Sequence, residues 1–342
     1  GQFLAHFKGV EMGSMAQPVH VGIDLGGTAI KTGVVDASGR LLCFDERPTE
    51  AEKGAEHVIA RMVDSARRAV RESGLTWNRV AGIGAGIPGF LDSRSGIVRL
   101  SPNLRWEDVP VRRLLEEAAG LPVRIQNDAN AAALGEALFG AGAGCDPVVC
   151  LTVGTGVGGG IIAGGRVLEG ALGMAGEIGH LRVVPEAEAV PCGCGRTGCL
   201  ETVASAGGVV RLAREEAERM EARGGRSALA PGIRAGTLSA RDVFEAARAG
   251  DEAAGAAVER AAFHLGRALG MAALLINPRR IIIGGGVSAA GEPFLRRIRE
   301  QFAREVPRPF LEGTDIVLAA LGNRAGVMGA AGIFRLGGGA VG

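Results

Sequence analysis

Tyrosine is absent from this chain, tryptophan occurs twice, and aromatic residues make up only 4% of it. That scarcity speaks to the makeup of the core and to nothing else. An excess charge is also missing: the formal net charge is +1, with no basic stripe, which argues against a generic nucleic-acid binder. No apolar run is long enough to span a bilayer, and the best candidate, residues 268–276 with its glycine, fits a buried helix. Residues 1–13 carry Glu11 and lack a long apolar core, so a secretory signal is not expected. Met15 is the expected natural start, with residues 1–14 a tag or extension. A hydrophobic share of 47% and a charged share of 22% describe a soluble globular chain, expected in the cytoplasm. Its 342 residues suffice for two lobes with proper cores.

Glycine, by contrast, is abundant: 57 residues, without a collagen period, many in short runs beside apolar stretches. That pattern suggests turns built for close ligand approach. Of the six cysteines, Cys43, Cys145 and Cys150 lie scattered in apolar contexts and read as core residues. Cys192, Cys194 and Cys199 are clustered, which in a chain of this kind suggests metal more than disulfides.

Strands are predicted over residues 19–25, 30–35 and 41–46. Gly33 and Ser38-Gly39 supply turn chemistry for antiparallel hairpins. Helical spacing over 55–73 stops at Gly74, and a strand follows over 80–86. A helix over 111–119 closes at Gly120, before a strand over 123–126 and an alanine-rich helix over 129–139. Then the opening pattern recurs. Ile23-Asp24-Leu25-Gly26-Gly27-Thr28 matches Leu151-Thr152-Val153-Gly154-Thr155-Gly156 about 130 residues downstream, and Gly39-Arg40-Leu41-Leu42 matches Gly165-Arg166-Val167-Leu168. A repeat of that size is a duplicated domain, and a ligand between the halves is the natural consequence. The remainder is mainly helical, over 207–221, 239–249, 251–276, 293–306 and 325–334. Strands over 280–283 and 315–319 interrupt it.

A glycine turn after a strand lets backbone N–H groups face phosphate oxygens. Gly26-Gly27-Thr28 adds a hydroxyl, Asp24 offers a carboxylate for Mg²⁺ or its waters, and Lys31 offers charge. Neither turn is a Walker loop, and either one alone also fits a tight hairpin. Gly284-Gly285-Gly286 is a third glycine turn. It is either a plain strand–helix connection or an approach to a nucleotide.

Asn127-Asp128 lies between a strand and a helix. A hydroxyl nucleophile gains from a carboxylate that takes its proton as it attacks phosphorus. The same two residue types are common helix N-caps. Asn127 as cap with Asp128 facing a cleft would reconcile the two readings. Downstream, Cys192, Cys194 and Cys199 with His180 supply three thiolates and an imidazole, a closed tetrahedral set suited to structural Zn²⁺. Cys192 and Cys194 are too close to bridge comfortably. Glu177 and Glu201 flank this cluster. Either they present carboxylates to a polyol or they are solvated surface glutamates.

These motifs, with Pro88-Gly89, Ser101-Pro102-Asn103-Leu104, Trp106, Asn127-Asp128-Ala129-Asn130-Ala131, Gly154 to Gly160, Glu177-Ile178-Gly179-His180 and Cys192 to Glu201, resemble the ROK family (repressor, open reading frame, kinase). The resemblance is closest to its bacterial zinc-containing glucokinases and runs over about residues 19–334. It implies an α/β fold of the actin-like ATPase/hexokinase (ribonuclease H-like) type, duplicated, with two lobes and an interlobe cleft. The implied division is a small lobe over 15–130, a large lobe with the zinc loop over 131–324, and a C-terminal helix over 325–336 packing back on the small lobe.

The resemblance implies ATP-dependent phosphorylation of a hexose, glucose first, with Asp128 as general base. Fructose, mannose, allose, N-acetylmannosamine and N-acetylglucosamine are the alternatives. It implies sugar contacts from Asn103, Asn127, Asp128, Glu177, His180 and Glu201. Phosphates and Mg²⁺ would go to Asp24, Gly26, Gly27, Thr28, Lys31, Gly154, Thr155, Gly156, Gly284 and Gly285. It implies one structural Zn²⁺, a homodimer or homotetramer, and no nucleic-acid or membrane partner. Polyphosphate stays open as donor. The family also includes sugar-sensing repressors. About 20 residues before the first strand leave no room for their helix-turn-helix here.

Overall fold

A computed structural model describes residues 17–336. The readings made of residues 1–14 and Met15 fall outside that range.

The first lobe begins with β1 (Val19–Leu25), β2 (Ala29–Val35) and β3 (Leu41–Pro48), an antiparallel meander. Helix α1 (Ala55–Glu72) follows, then β4 (Val80–Ile87). Three short strands, β5 (Phe90–Asp92), β6 (Ile97–Ser101) and β7 (Trp106–Val109), form a separate antiparallel sheet. Helix α2 (Val111–Ala119), β8 (Val123–Asn127) and α3 (Asp128–Phe139) complete the run. The main sheet has the order β3-β2-β1-β4-β8, with β1, β4 and β8 parallel.

The second lobe repeats this plan. Its strands are β9 (Val148–Val153), β10 (Val157–Ala163) and β11 (Arg166–Val167). A long irregular segment leads into helices α4 (Glu201–Ala204), α5 (Ala206–Ala222), α6 (Ala230–Ala235), α7 (Ala240–Arg248) and α8 (Glu252–Ile276). Then come β12 (Arg280–Gly284), α9 (Glu292–Glu305), α10 (Arg308–Gly313), β13 (Asp315–Leu318) and α11 (Ala325–Gly332). The sheet order is β11-β10-β9-β12-β13, antiparallel among the first three and parallel among the last three. Strand for strand this is the topology of the first sheet, so the sequence repeat is a repeat of architecture. Among the described residues no helix is long and apolar enough to cross a membrane.

Separate apolar cores fill the two lobes. One gathers Ile23, Leu25, Met62 and Ile83; the other gathers Leu151, Leu200, Leu212 and Leu265. The last helix returns to the first sheet. A Cβ at Gly22 would overlap the Val327 carbonyl, and one at Gly84 would overlap that of Ala330, so α11 sits directly on β1 and β4. This close approach corrects the reading of Gly33 as a turn residue. Gly33 lies in mid-β2, paired with Gly22, and a Cβ there would stand 2.6 Å from Val327 Cγ1. The turn between β1 and β2 belongs to Gly26-Gly27-Thr28.

Candidate active site between the lobes

Asp128 opens α3 at the end of β8. Its neighbour Asn127 is the N-cap: Asn127 Oδ1 accepts the N–H of Ala129 at 2.9 Å and of Asn130 at 3.2 Å. The cap role is therefore filled by Asn127, and the Asp128 carboxylate needs only the Ala129 N–H, at 2.9 Å to its Oδ1. Asn127 Nδ2 also donates to the Gly89 carbonyl at 3.1 Å. Gly89 has φ +110, and a Cβ on it would overlap the Leu100 carbonyl. Only glycine fits that backbone, so Pro88-Gly89 can wedge between β6 and the start of α3.

These residues line an interlobe cleft of about 450 Å³. Asn103, Asn127, Asp128, Glu177, His180 and Glu201 all line it, together with Gly154, Thr155, Gly156 and Gly285. Burial is the main force raising the Asp128 carboxyl above the ordinary carboxylate range. Glu177 is raised as well, first by burial, with the nearby Asp128 charge adding to it. Partly desolvated carboxylates in a cleft are suited to proton transfer.

The first glycine turn stands at the edge of this cleft. Gly26 N–H donates to Ala29 O at 2.8 Å, Thr49 Oγ1 donates to Gly26 O at 2.6 Å, and Gly27 abuts the backbone of Asn103. Asp24 lies behind it, pushed up to about 6 chiefly by burial and raised also by Asp128. The ammonium of Lys31, across the β1–β2 pair, stands 4.0 Å from Asp24 and opposes that rise. Gly26, Gly27, Thr28, Asp24 and Lys31 thus adjoin the cleft without forming its walls. Gly284 is buried at the end of β12 against Ala319, and Gly285 is the residue that reaches the cleft.

The cysteine cluster meets the cleft through His180, the member that lines it. His180, Cys192, Cys194 and Cys199 place one ligand atom each within 4.8 Å of one another. Cys194 Sγ and Cys199 Sγ are 3.6 Å apart, and His180 Nδ1 is 3.8 Å from Cys192 Sγ. All three cysteines are free thiols. The Arg196 backbone N–H pulls the Cys194 thiol down to about 6, whereas burial pushes Cys199 up to about 12. Thiols this close ionise together only around a cation, and this donor set fits a tetrahedral divalent metal. Two links tie the cluster to the cleft. His180 turns Nε2 toward Glu177, 3.8 Å from Oε2. Glu201 sets Oε1 3.8 Å from Cys192 Sγ and takes the Val157 N–H on Oε2 at 2.9 Å, directly after the second glycine turn. A Cβ at Gly156 would come within 2.7 Å of that carboxylate.

A second cavity, of about 550 Å³, opens beside the first and shares Gly154 with it. Its walls include Phe244 and Ala240 from α7 and Gly286, Val287 and Ala290 from the turn after β12. Sequence reasoning named none of the α7 residues. The available signal was the third glycine turn, which ends here at Gly286.

Residues 20–336 match the profile of the ROK family. The chain belongs to the ROK family. It is 43% identical over 317 residues to a glucokinase of Halalkalibacterium halodurans, covering 92% of this chain and 94% of that one. A ROK family glucokinase from Streptomyces griseus, solved with glucose and AMPPNP, superposes with a TM-score of 0.75 at 37% identity, covering 93% of this chain and all of that one. A ROK family transcriptional regulator homologous to the E. coli MLC protein superposes at 0.80 with 28% identity, covering 94% of this chain and 78% of that one. The duplicated hexokinase-like fold is therefore that of the family, in its kinases and its regulators alike.

Proposed function

We propose that this chain is an ATP-dependent hexose kinase with glucose as acceptor, Asp128 as general base, and a structural zinc ion behind the sugar loop. The observation that carries the reading is the cleft itself. A carboxylate at the start of α3, with the cap role filled by Asn127, shares one cleft with Asn103, Glu177, His180, Glu201 and a glycine turn. Relatives that are glucokinases support glucose as the acceptor.

The 6-hydroxyl of the sugar gives its proton to Asp128 as its oxygen attacks the γ-phosphorus. The bond from that phosphorus to the β,γ-bridging oxygen breaks, and ADP leaves. Asn103, Glu177, His180 and Glu201 hold the other hydroxyls, so that the 6-oxygen meets phosphorus in line. Gly27-Thr28 and Thr155-Gly156 offer backbone N–H groups to the phosphates, the Gly26 and Gly154 N–H groups being used to close their own turns, and the larger cavity accepts the nucleoside, with Phe244 and Val287 against the base. Mg²⁺ entering with ATP would be held near Asp24 and would neutralise phosphate charge. Zinc would be held by His180, Cys192, Cys194 and Cys199; with no open position it takes no part in the transfer and fixes the loop. Self-association follows from the family resemblance, and a cytoplasmic location from the resemblance and the composition.

The test is ADP release measured over a panel of hexoses and N-acetylated hexosamines, repeated with polyphosphate while following the sugar phosphate. Glucose with ATP should give the highest kcat/KM. A preference for another sugar would correct the acceptor, and no turnover with any would overturn the reading.

A further inference from the structure

Gln126 is the residue before Asn127 in β8, only 7% exposed. Its Oε1 accepts the backbone N–H of Asn127 at 2.8 Å and the side-chain amide of Asn130 at 3.2 Å. Only an oxygen can accept from two N–H donors, so the amide nitrogen must point the other way. There it donates to Glu169 Oε1 at 2.7 Å.

Glu169 belongs to the other lobe. It lies just past β11, in the segment that delivers Glu177 and His180. The Glu169 carbonyl accepts the Ala175 N–H at 3.0 Å and closes that segment into a loop. Gly173, within the loop, rests against the Leu91 carbonyl of the first lobe. One hydrogen bond therefore joins the lobes where α3 begins: one end is fixed to the backbone beside Asp128, the other to the loop ahead of Glu177. A bond to a carboxylate from a buried amide is of the stronger kind.

We propose that Gln126 and Glu169 form a positioning pair that holds Asp128 in register with the loop carrying Glu177 and His180. The inference rests on the kinase reading above. Neither side chain touches substrate in this account. Gln126 fixes the strand end and the first turn of α3 from behind, and Glu169 transmits that position across the cleft. Glutamine suits the place because the site asks for an acceptor on one side and a donor on the other. Glutamate at 126 would set two carboxylates face to face, and one of them would have to hold a proton.

The test uses four variants of the full chain, with kcat, KM for each substrate, pH profile and thermal midpoint for each. Glu169→Ala should lower kcat about tenfold, the scale of a small misplacement of reacting groups, and raise KM for the hexose while leaving KM for ATP unchanged. Glu169→Gln keeps a carbonyl acceptor and should recover most of that loss. Gln126→Glu should be impaired most at high pH and regain activity as pH falls, because a proton shared between the carboxylates restores the bond. The double exchange Gln126→Glu with Glu169→Gln swaps donor and acceptor and should outperform Gln126→Glu alone, without its pH dependence. Unchanged kcat and KM in Glu169→Ala would overturn the inference. So would a double variant no better than Gln126→Glu, a comparison that preserves side-chain volume and stands even if Glu169→Ala fails to fold. Either result leaves the kinase reading intact, whereas an unaltered protein inactive on every hexose would overturn both.

Discussion

His180 stands 3.8 Å through Nδ1 from the sulfur of Cys192, and its other ring nitrogen faces the cleft beside Glu177. One imidazole thus joins the cysteine cluster to the candidate sugar site. A metal on Nδ1 fixes the ring and leaves Nε2–H free to donate toward a hydroxyl or to Glu177.

That relationship predicts what metal loss does. The purified chain should carry about one zinc. Cys194→Ser should lose it and raise KM for the hexose by about 10–100-fold, because Glu177, His180 and Glu201 lose a common anchor. KM for ATP should change little. Metal analysis beside steady-state kinetics checks this; a zinc-free protein with unchanged KM contradicts it.

Activity should fall in acid earlier than an ordinary aspartate would make it. Asp128 and Glu177 both sit above the usual carboxylate range, each chiefly through burial. The base works only when deprotonated, so kcat/KM for the hexose should be lost as pH falls through these raised values and level off above them. The apparent pKa belongs to the cluster as a whole. A pH profile whose acid limb lies at the ordinary value of about 3.9 would contradict it.

Much of the site was legible in the chain. Both glycine turns could be read because each follows a short apolar strand and precedes a hairpin, a purely local signal. The cysteines were legible from spacing, and Asn127-Asp128 from its place at a strand–helix junction. Gly33 misled because the contact that requires it comes from Val327, on a helix at the far end of the chain. The cavity beside Gly154 was illegible for a related reason. Ser239 to Arg248 reads as an ordinary capped amphipathic helix, and only packing turns Phe244 and Ala240 toward Val287. Residues 90–109 gave no clear period because their short strands bury only some positions.

The nucleoside cavity offers a separable test. A Cβ at Gly286 meets nothing within 4 Å, so a side chain there has room to enter the cavity. Gly286→Leu should raise KM for ATP about tenfold or more by filling the space of the base, with KM for the hexose unchanged. Equal ATP affinity in the variant would place the nucleoside elsewhere.

Closeness of α11 to the first sheet predicts a stability effect. Gly84→Ala forces a methyl group into the Ala330 carbonyl. The overlap is backbone against backbone and should cost about 1–3 kcal/mol, seen as a lower thermal or denaturant midpoint. An unshifted midpoint would mean that the helix packs more loosely than the structure has it.

The central claim is that Asp128 takes a proton from a hexose bound between the lobes. The direct measurement is phosphorus NMR of glucose and Mg-ATP incubated with the unaltered protein and with Asp128→Asn, alongside glucose binding to each. The account predicts glucose 6-phosphate and ADP from the unaltered protein. It predicts a rate about 10²–10⁴-fold lower from Asp128→Asn, with glucose still bound. Asp128→Asn forming sugar phosphate at the unaltered rate would contradict it.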